Sequence, residues 1–388
     1  MNENGTDEAS APLRAGFIGG GFMAAVHGRA VRAAGLIPAG VASSTLESAE
    51  RAATRLGLGR VYSSVEQLLD DESIDVVHIC TPNVTHAEFA TAALRAGKHV
   101  VCEKPLATSV EDAAAVTALA RTMGRTAAVP FIYRFHPMVR EARARVRHGQ
   151  VGRVLTIQGS FLQDWLLSSE DDDWRVDESL GGPSRAFADI GSHLCDVIEF
   201  ILDDRISRVA ALTRTAFSQR GGRDVRTEDI VSIVFETRGG AVGTLLISQV
   251  APGRKNRLAL EISGTTETLT FDQEQPETLW VGRRSGSQLM VRDPAVLDPS
   301  AARYCSLPPG HPQGYQDAFN SFISDAYLAV RSGTAPDGLP LFDDGLRAAR
   351  LTSAVQRSAR EGGWQDVPPN DPELTGHKTP ILTLKERQ

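Results

Sequence analysis

An apolar stretch, Ala15–Ile18, runs straight into Gly19-Gly20-Gly21-Phe22-Met23-Ala24 and then into a helix-length segment from Met23 to Ala34. A strand, a glycine turn and a helix in that order leave few ways to fold. The first glycine allows a tight turn, Gly21 lets another group approach the backbone, and a small residue at position 24 lets helix pack on strand. The start of such a helix presents free N–H groups to an anion. The turn therefore reads as a dinucleotide-binding element, with Gly19, Gly21, Phe22 and Met23 as candidate contacts.

The segments that follow repeat the alternation. Leu36–Ser43, Ile74–Cys80, His99–Cys102 and Thr126–Ile132 read as strands. Residues 45–56, Thr85–Ala96 and Ser109–Met123 read as helices, the last begun by a Ser109 cap and each ended by a glycine. Strands separated by crossover helices imply a parallel sheet wound on both faces. Beyond residue 151 the rhythm changes. Val154–Phe161, Asp229–Thr237, Ala241–Val250, Leu258–Ser263 and Glu267–Phe271 read as strands, with a hairpin signal at Arg238-Gly239-Gly240. Residues 186–203 and the Phe319–Val330 stretch read as helices. The expectation is an α/β chain: a disordered arm over 1–12, a doubly wound Rossmann domain over 13–132, an α+β domain with a large open, mostly antiparallel sheet over 133–365, and a loosely ordered tail over 366–388.

Composition narrows the partners. The chain has 388 residues and a formal net charge of −7 without a long basic run, which argues against nucleic acid and membrane surfaces. The short basic stretch Arg143, Arg145, Arg147 and His148 reads as a solvated helix face. No apolar run approaches the ~20 residues of a membrane helix. Four scattered cysteines fit reduced cytoplasmic thiols.

In a sheet of this kind ligands gather at the carboxyl ends of the strands. The second strand ends in Ser43-Ser44, with no acidic residue to hold a ribose hydroxyl, so the reading favours NADP over NAD, with Arg51 as a possible helper. A cap of the next helix is the competing role for these serines. Thr81-Pro82-Asn83 ends the third strand and joins the cofactor set. Asn83 serves equally well as a helix cap, and His86 behind it reads more as a surface residue than as a ligand. Glu103-Lys104-Pro105 ends the fourth strand. A lysine there can stabilise developing charge on a substrate oxygen. Asp189 and His193 are four residues apart and so share a helix face, with Asp196 near it. Histidine titrates near neutrality, which suits proton transfer, and either carboxylate could orient it. No second histidine stands at metal-ligand spacing, and no metal is expected. Trp165 is split between stacking on a sugar ring and the core, and Arg185 between a substrate contact and solvent.

Taken together, the glycine turn, Glu103-Lys104-Pro105 and Gly181-Gly182…Asp189-x-Gly191-x-His193-x-x-Asp196 resemble the Gfo/Idh/MocA family of glucose–fructose oxidoreductases and inositol dehydrogenases over about residues 13–365. The resemblance implies an NAD(P)-dependent oxidoreductase acting on a sugar, cyclic polyol or glycoside, assembled as a homodimer or homotetramer. It implies a catalytic set of Lys104, Asp189 and His193, with His193 as acid/base and Lys104 polarising the reacting oxygen. Tyr133 and Arg134 match a segment lining the pocket, and Trp174-Arg175 one that reaches the cofactor; His86, Glu103 and Lys104 are carried with the cofactor contacts. The same residues would serve a hydrolase or lyase that oxidises its sugar transiently on one bound NAD. A non-catalytic sensor would be expected to lose the acid/base set.

Overall fold

The computed structural model describes residues 11–369. Its first sheet alternates β1 (Arg14–Ile18), α1 (Phe22–Ala33), β2 (Ile37–Ala42), α2 (Leu46–Leu56), β3 (Arg60–Val61), α3 (Val65–Asp70), β4 (Val76–Ile79), α4 (His86–Arg95), β5 (His99–Cys102), α5 (Val110–Met123) and β6 (Ala127–Ala128). The six strands are all parallel in the order β3-β2-β1-β4-β5-β6. The order reverses direction between β1 and β4, which opens a crevice at their carboxyl ends. The strands are nearly continuous apolar runs because helices cover both faces. The short β3–α3 unit was not read from sequence. Its strand is only two residues long, with no apolar periodicity to announce it.

The expected strand over Thr126–Ile132 is cut to two residues. Pro130 has no N–H for a ladder, Val129 N–H donates to the Pro340 carbonyl (3.1 Å), and the chain turns at Ile132–Phe135.

The second sheet collects β7 (Val154–Leu162), β8 (Ile206–Arg214), β11 (Ile230–Thr237), β12 (Val242–Ser248), β13 (Arg257–Gly264), β14 (Thr268–Asp272), β15 (Thr278–Arg283), β16 (Gly286–Val291) and β17 (Gln365–Asp366); β9 (Gln219–Arg220) and β10 (Arg223–Asp224) form a separate ribbon. The order is β16-β15-β14-β13-β7-β12-β11-β8-β17, antiparallel throughout except for the β7–β12 pair. One face packs on α6 (Pro137–Arg147), α8 (Ser192–Leu202) and α11 (Phe342–Glu361), with the one-turn helices α7 (Glu178–Gly181) and α9 (Pro299–Ala302) nearby in the chain. The other face leaves Leu212, Val234, Val242, Leu246, Trp280 and Leu289 exposed. The chain returns to the first sheet through α10 (Tyr315–Ser332), which packs on α1, while α11 also lies against α5.

Two expectations are corrected here. The basic stretch is not a solvated face: Arg145 is buried in an ion pair with Glu267 (2.9 Å), and the Arg143 guanidinium lies 4.0 Å from the Phe200 ring centroid. Its neighbours Arg147 and His148 do reach the surface. The tail is tied down farther than expected. Asp366 pairs with β8, Val367 N–H donates to the Ser207 carbonyl (2.8 Å) and Val367 is buried. Residues 370–388, and 1–10 of the expected arm, lie outside the described residues.

Candidate active site

A cleft of about 1210 Å³ runs along the carboxyl ends of β1, β2, β4 and β5. The glycine turn forms its floor. Gly19 has φ +90°, and a Cβ there would meet the Cys80 carbonyl oxygen at 2.7 Å; one on Gly20 would meet the Ala52 Cβ at 2.3 Å. A Cβ on Gly21 would meet nothing within 4 Å, because that position faces the open cleft. Helix α1 starts there with no side-chain cap and no acidic residue in its first turn. Its first N–H groups and dipole are left to an outside anion, a cradle that fits a dinucleotide pyrophosphate.

At one end of the cleft stand Ser43, Ser44, Ser63, Ser64 and Glu66. Ser43 and Ser44 do not cap α2. Thr45 does, accepting from Ser48 N–H (3.1 Å) in a reciprocal capping box. Arg51 is paired with Glu47, and Arg55 bonds the Gly20 carbonyl. Asn83 lines the cleft but caps no helix; its amide donates to the Gly181 carbonyl (2.9 Å) and ties the two halves of the molecule together. Thr81, Pro82, Phe22 and Met23 also line it. The surface reading of His86 is corrected. Although its edge reaches the cleft, the ring is buried between the Pro105 and Thr81 carbonyls (2.7 and 2.9 Å) and joins those two turns.

At the other end three candidates meet. Lys104 Nζ donates to Asp189 Oδ1 (2.6 Å) and to the Asp189 carbonyl (2.9 Å). Asp189 Oδ2 accepts from Gln249 Nε2 (2.9 Å), and Arg175 Nε lies 3.6 Å from Oδ1. Burial pushes the Asp189 carboxyl up, but Lys104 and Arg175 outweigh it and bring it down to about 2. Asp189 sits in a π-turn, Phe187–Gly191, that runs directly into α8 and His193. A Cβ on Gly191 would meet the Phe187 ring at 2.5 Å, so the turn closes only around glycine. The His193 ring stands edge-on to Phe131 and Tyr133, with centroids 5.5 and 5.1 Å away. Its Nδ1 is buried and makes no hydrogen bond among the described residues. Burial, aided by Lys104, lowers its pKa to about 3, so the imidazole is neutral at pH 7. The expected orienting carboxylate is absent, since neither Asp189 nor Asp196 bonds it among the described residues.

Arg134 and Asp196 are therefore corrected. Arg134 faces away from the cleft and grips Asp196 through two bonds (Nε to Oδ2, 2.8 Å) while Nη2 also reaches Asp344 Oδ1 (2.8 Å). Asp164 is held by Lys255 (2.7 Å) and the Gly253 N–H (3.0 Å) outside the cleft lining. Arg185 is neither a substrate contact nor solvent-exposed; it is buried against Asp229. Trp165 does line the cleft, with Trp174 and Arg175. Its Nε1 donates to Gln163 Oε1 (2.8 Å), Gln163 Nε2 donates to Asn256 Oδ1 (2.8 Å), and Asn256 Nδ2 donates to the Tyr133 hydroxyl (3.3 Å). Asn256 was missed from sequence. Nothing local marks an asparagine that meets its partner across more than a hundred residues.

Glu103 lines the cleft from beneath, and its Oε2 accepts the Lys104 N–H (3.1 Å). Its Oε1 lies 3.0 Å from His27 Nε2, His27 Nδ1 lies 2.8 Å from His78 Nδ1, and His78 Nε2 lies 2.8 Å from the Tyr327 hydroxyl. Burial holds His78 well below its ordinary pKa. Tyr327, His78, His27 and Glu103 thus form one continuous hydrogen-bonded chain from the core to the cleft.

A phosphate cradle at a topological switch point, opening onto a lysine, a carboxylate and a neutral histidine, defines a nicotinamide-dependent oxidoreductase. Comparisons with known proteins agree. Residues 13–131 match the "Oxidoreductase family, NAD-binding Rossmann fold" model, and residues 139–270 match the "GFO/IDH/MocA C-terminal domain" model. The levoglucosan dehydrogenase of Pseudarthrobacter phenanthrenivorans is 32% identical over 92% of this chain and 98% of its own length. The solved structure of levoglucosan dehydrogenase in complex with NADH and levoglucosan covers 92% of this chain and 99% of its own at a TM-score of 0.86 and 32% identity. An inositol dehydrogenase homolog from Azotobacter vinelandii complexed with NAD+ covers 94% and 99% at a TM-score of 0.85 and 27% identity. The chain belongs to the Gfo/Idh/MocA oxidoreductase family.

Proposed function

We propose that this enzyme interconverts a ring hydroxyl and a ketone on a neutral sugar or cyclic polyol, using NAD(H). A nicotinamide, when bound, supplies the hydride acceptor or donor. The observation that carries the reading is the buried, neutral His193, its Nδ1 without a hydrogen bond among the described residues, beside the Lys104–Asp189 pair in the cleft. His193 accepts the hydroxyl proton during oxidation. Lys104 has three N–H donors and spends two on Asp189, leaving one for the reacting oxygen, whose developing charge it stabilises. Asp189 holds that ammonium in place. The glycine turn with Phe22 and Met23, the serines 43 and 44, the Thr81-Pro82-Asn83 turn and Glu103 cradle the cofactor, and Trp174-Arg175 flank it. His86 acts from behind by bracing the turns.

NAD(H) is the assigned form because both arginines near the adenosine end are engaged, Arg51 with Glu47 and Arg55 with Gly20, while Glu66 adds negative charge where a 2′-phosphate would have to sit. The neutral substrate class follows from the polar residues that line the cleft near His193. Tyr133, Gln163 and Asn256 offer uncharged donors and acceptors suited to hydroxyls, and the two cations at this end, Lys104 and Arg175, both face Asp189. Levoglucosan, a neutral anhydrosugar, is the named substrate of the relative above. The exposed apolar residues of the second sheet's open face are assigned to self-association, as a dimer or tetramer.

The test follows nicotinamide absorbance with NAD+ or NADP+ against levoglucosan, inositols, free sugars and sugar phosphates. Reduction of NAD+ by a neutral ring, with sugar phosphates poorer, is expected. No absorbance change with any ring compound in either direction would overturn the reading.

A further inference from the structure

Asp189 is aimed by residues that never touch the cleft. Gln249 follows β12 and is fully buried; its backbone is fixed on both sides, N–H to the Asp229 carbonyl (3.0 Å) and C=O from the Leu166 N–H (3.2 Å). Its side chain lies between two charges. Nε2 donates to Asp189 Oδ2 (2.9 Å), and Oε1 accepts from Arg185 Nη1 (3.2 Å). The guanidinium thereby fixes which way the amide points, because a flipped amide would set its oxygen against the carboxylate and its NH₂ against a cation. Arg185 is itself fixed, through Nε to Thr227 Oγ1 (3.2 Å) and Nη2 to Asp229 Oδ1 (2.5 Å). Asp229 is held in turn by Arg220 Nη2 (2.8 Å) and the Ala216 N–H (2.6 Å).

We propose that Gln249, oriented by Arg185, is a positioning residue that fixes the Asp189 carboxylate and through it the Lys104 ammonium. The second sheet thus sets the position of a lysine carried by the first. Without Gln249 the carboxylate would be held at Oδ1 alone, by Lys104 and the more distant Arg175, with Oδ2 free to turn about the last torsion and shift the ammonium; a misplacement of about 1 Å can cost on the order of a hundredfold in rate. The inference rests on the reading that Lys104 and Asp189 serve the chemistry.

The test compares Gln249→Glu, Gln249→Met and Lys104→Met, measuring kcat, the KM for NAD+ and thermal stability with a neutral sugar substrate. Gln249→Met is expected to lose kcat about tenfold with the KM for NAD+ within twofold. Gln249→Glu keeps shape and volume, so a packing role would leave it nearest the wild type. A positioning role makes it the worse of the two, because it places a second carboxylate against Asp189 and removes the donor. If Gln249→Glu is recovered unfolded, Gln249→Asn replaces it, expected to lose kcat tenfold because its amide falls one methylene short of Asp189. Near-wild-type kcat in Gln249→Met together with either partner variant overturns the inference while an inactive Lys104→Met leaves the reading of the site standing. Full activity in Lys104→Met would remove the reading itself.

Discussion

Lys104–Asp189 and Arg134–Asp196 are two ion pairs of the same design. Each joins a cation at or just beyond the edge of the first sheet to a carboxylate of the 187–202 segment. Sequence placed both at the site, but their surroundings separate them. Arg134 gives both arms of its guanidinium to Asp196 and shares one with Asp344, whose other oxygen accepts the Leu341 N–H (2.9 Å). All four carboxylate oxygens in that cluster are engaged inside the protein. Lys104 keeps one N–H in hand at the mouth of a cleft, beside a histidine whose Nδ1 has no hydrogen-bond partner among the described residues. A saturated buried pair holds the fold, and an incompletely satisfied pair at a cleft is available for chemistry.

The comparison breaks if the two pairs respond alike to mutation. Lys104→Met should lower kcat by about 10²–10³-fold while NADH affinity, read by fluorescence titration, changes less than threefold. Arg134→Met should do the reverse. Two buried carboxylates would lose the guanidinium that bridges them, costing about 3–5 kcal/mol of stability in a denaturant titration, with turnover per folded molecule unchanged. Turnover lost at unchanged stability would put Arg134 in the chemistry.

The two sites also differ in sign against pH. Burial, opposed by Arg134, pushes Asp196 up to about 6. The folded state therefore takes up this proton before the unfolded one, whose carboxyl titrates near ~4; this group favours folding as pH falls from 6 to 4 and disfavours it above. His193 behaves oppositely. Its pKa of about 3 lies below the ~6.5 of an unfolded imidazole, so the unfolded state is protonated first and stability is lost as pH falls from 6.5 to 3. His193→Gln should flatten the fall in stability across that window by up to ~1.4 kcal/mol per pH unit, measured by urea unfolding at several pH values. An unchanged slope would mean that the imidazole is not desolvated. Thr45→Ala should cost about 1 kcal/mol through the lost α2 cap and leave turnover alone. A shift in NADH affinity instead would show that the serines beside it depend on that cap.

What could be read from sequence was what the chain writes locally. Gly19 and Gly21, Lys104 and the Asp189–His193 spacing lie within short motifs whose chemistry depends on nearest neighbours. Arg134 was misplaced because it adjoins Tyr133, which does line the cleft, and nothing in one sequence says which of two adjacent side chains points outward. Arg185 stood unexplained because its partners, Thr227, Asp229 and Gln249, come from strands joined by topology alone. The π-turn at Asp189 also escaped, since a helix period describes it almost as well. His27 and His78 look like core histidines until β5 brings Glu103 between them and the cleft.

The most direct test concerns His193. The pH profile of kcat/KM for a neutral sugar at saturating NAD+ should be compared between the wild type and His193→Ala from pH 4 to 9. A desolvated, neutral imidazole with its pKa near 3 predicts a wild-type profile with no acid limb from His193 between pH 9 and 4, and a loss of at least ~10²-fold in His193→Ala across the range. Wild-type rates in His193→Ala at every pH would contradict the account.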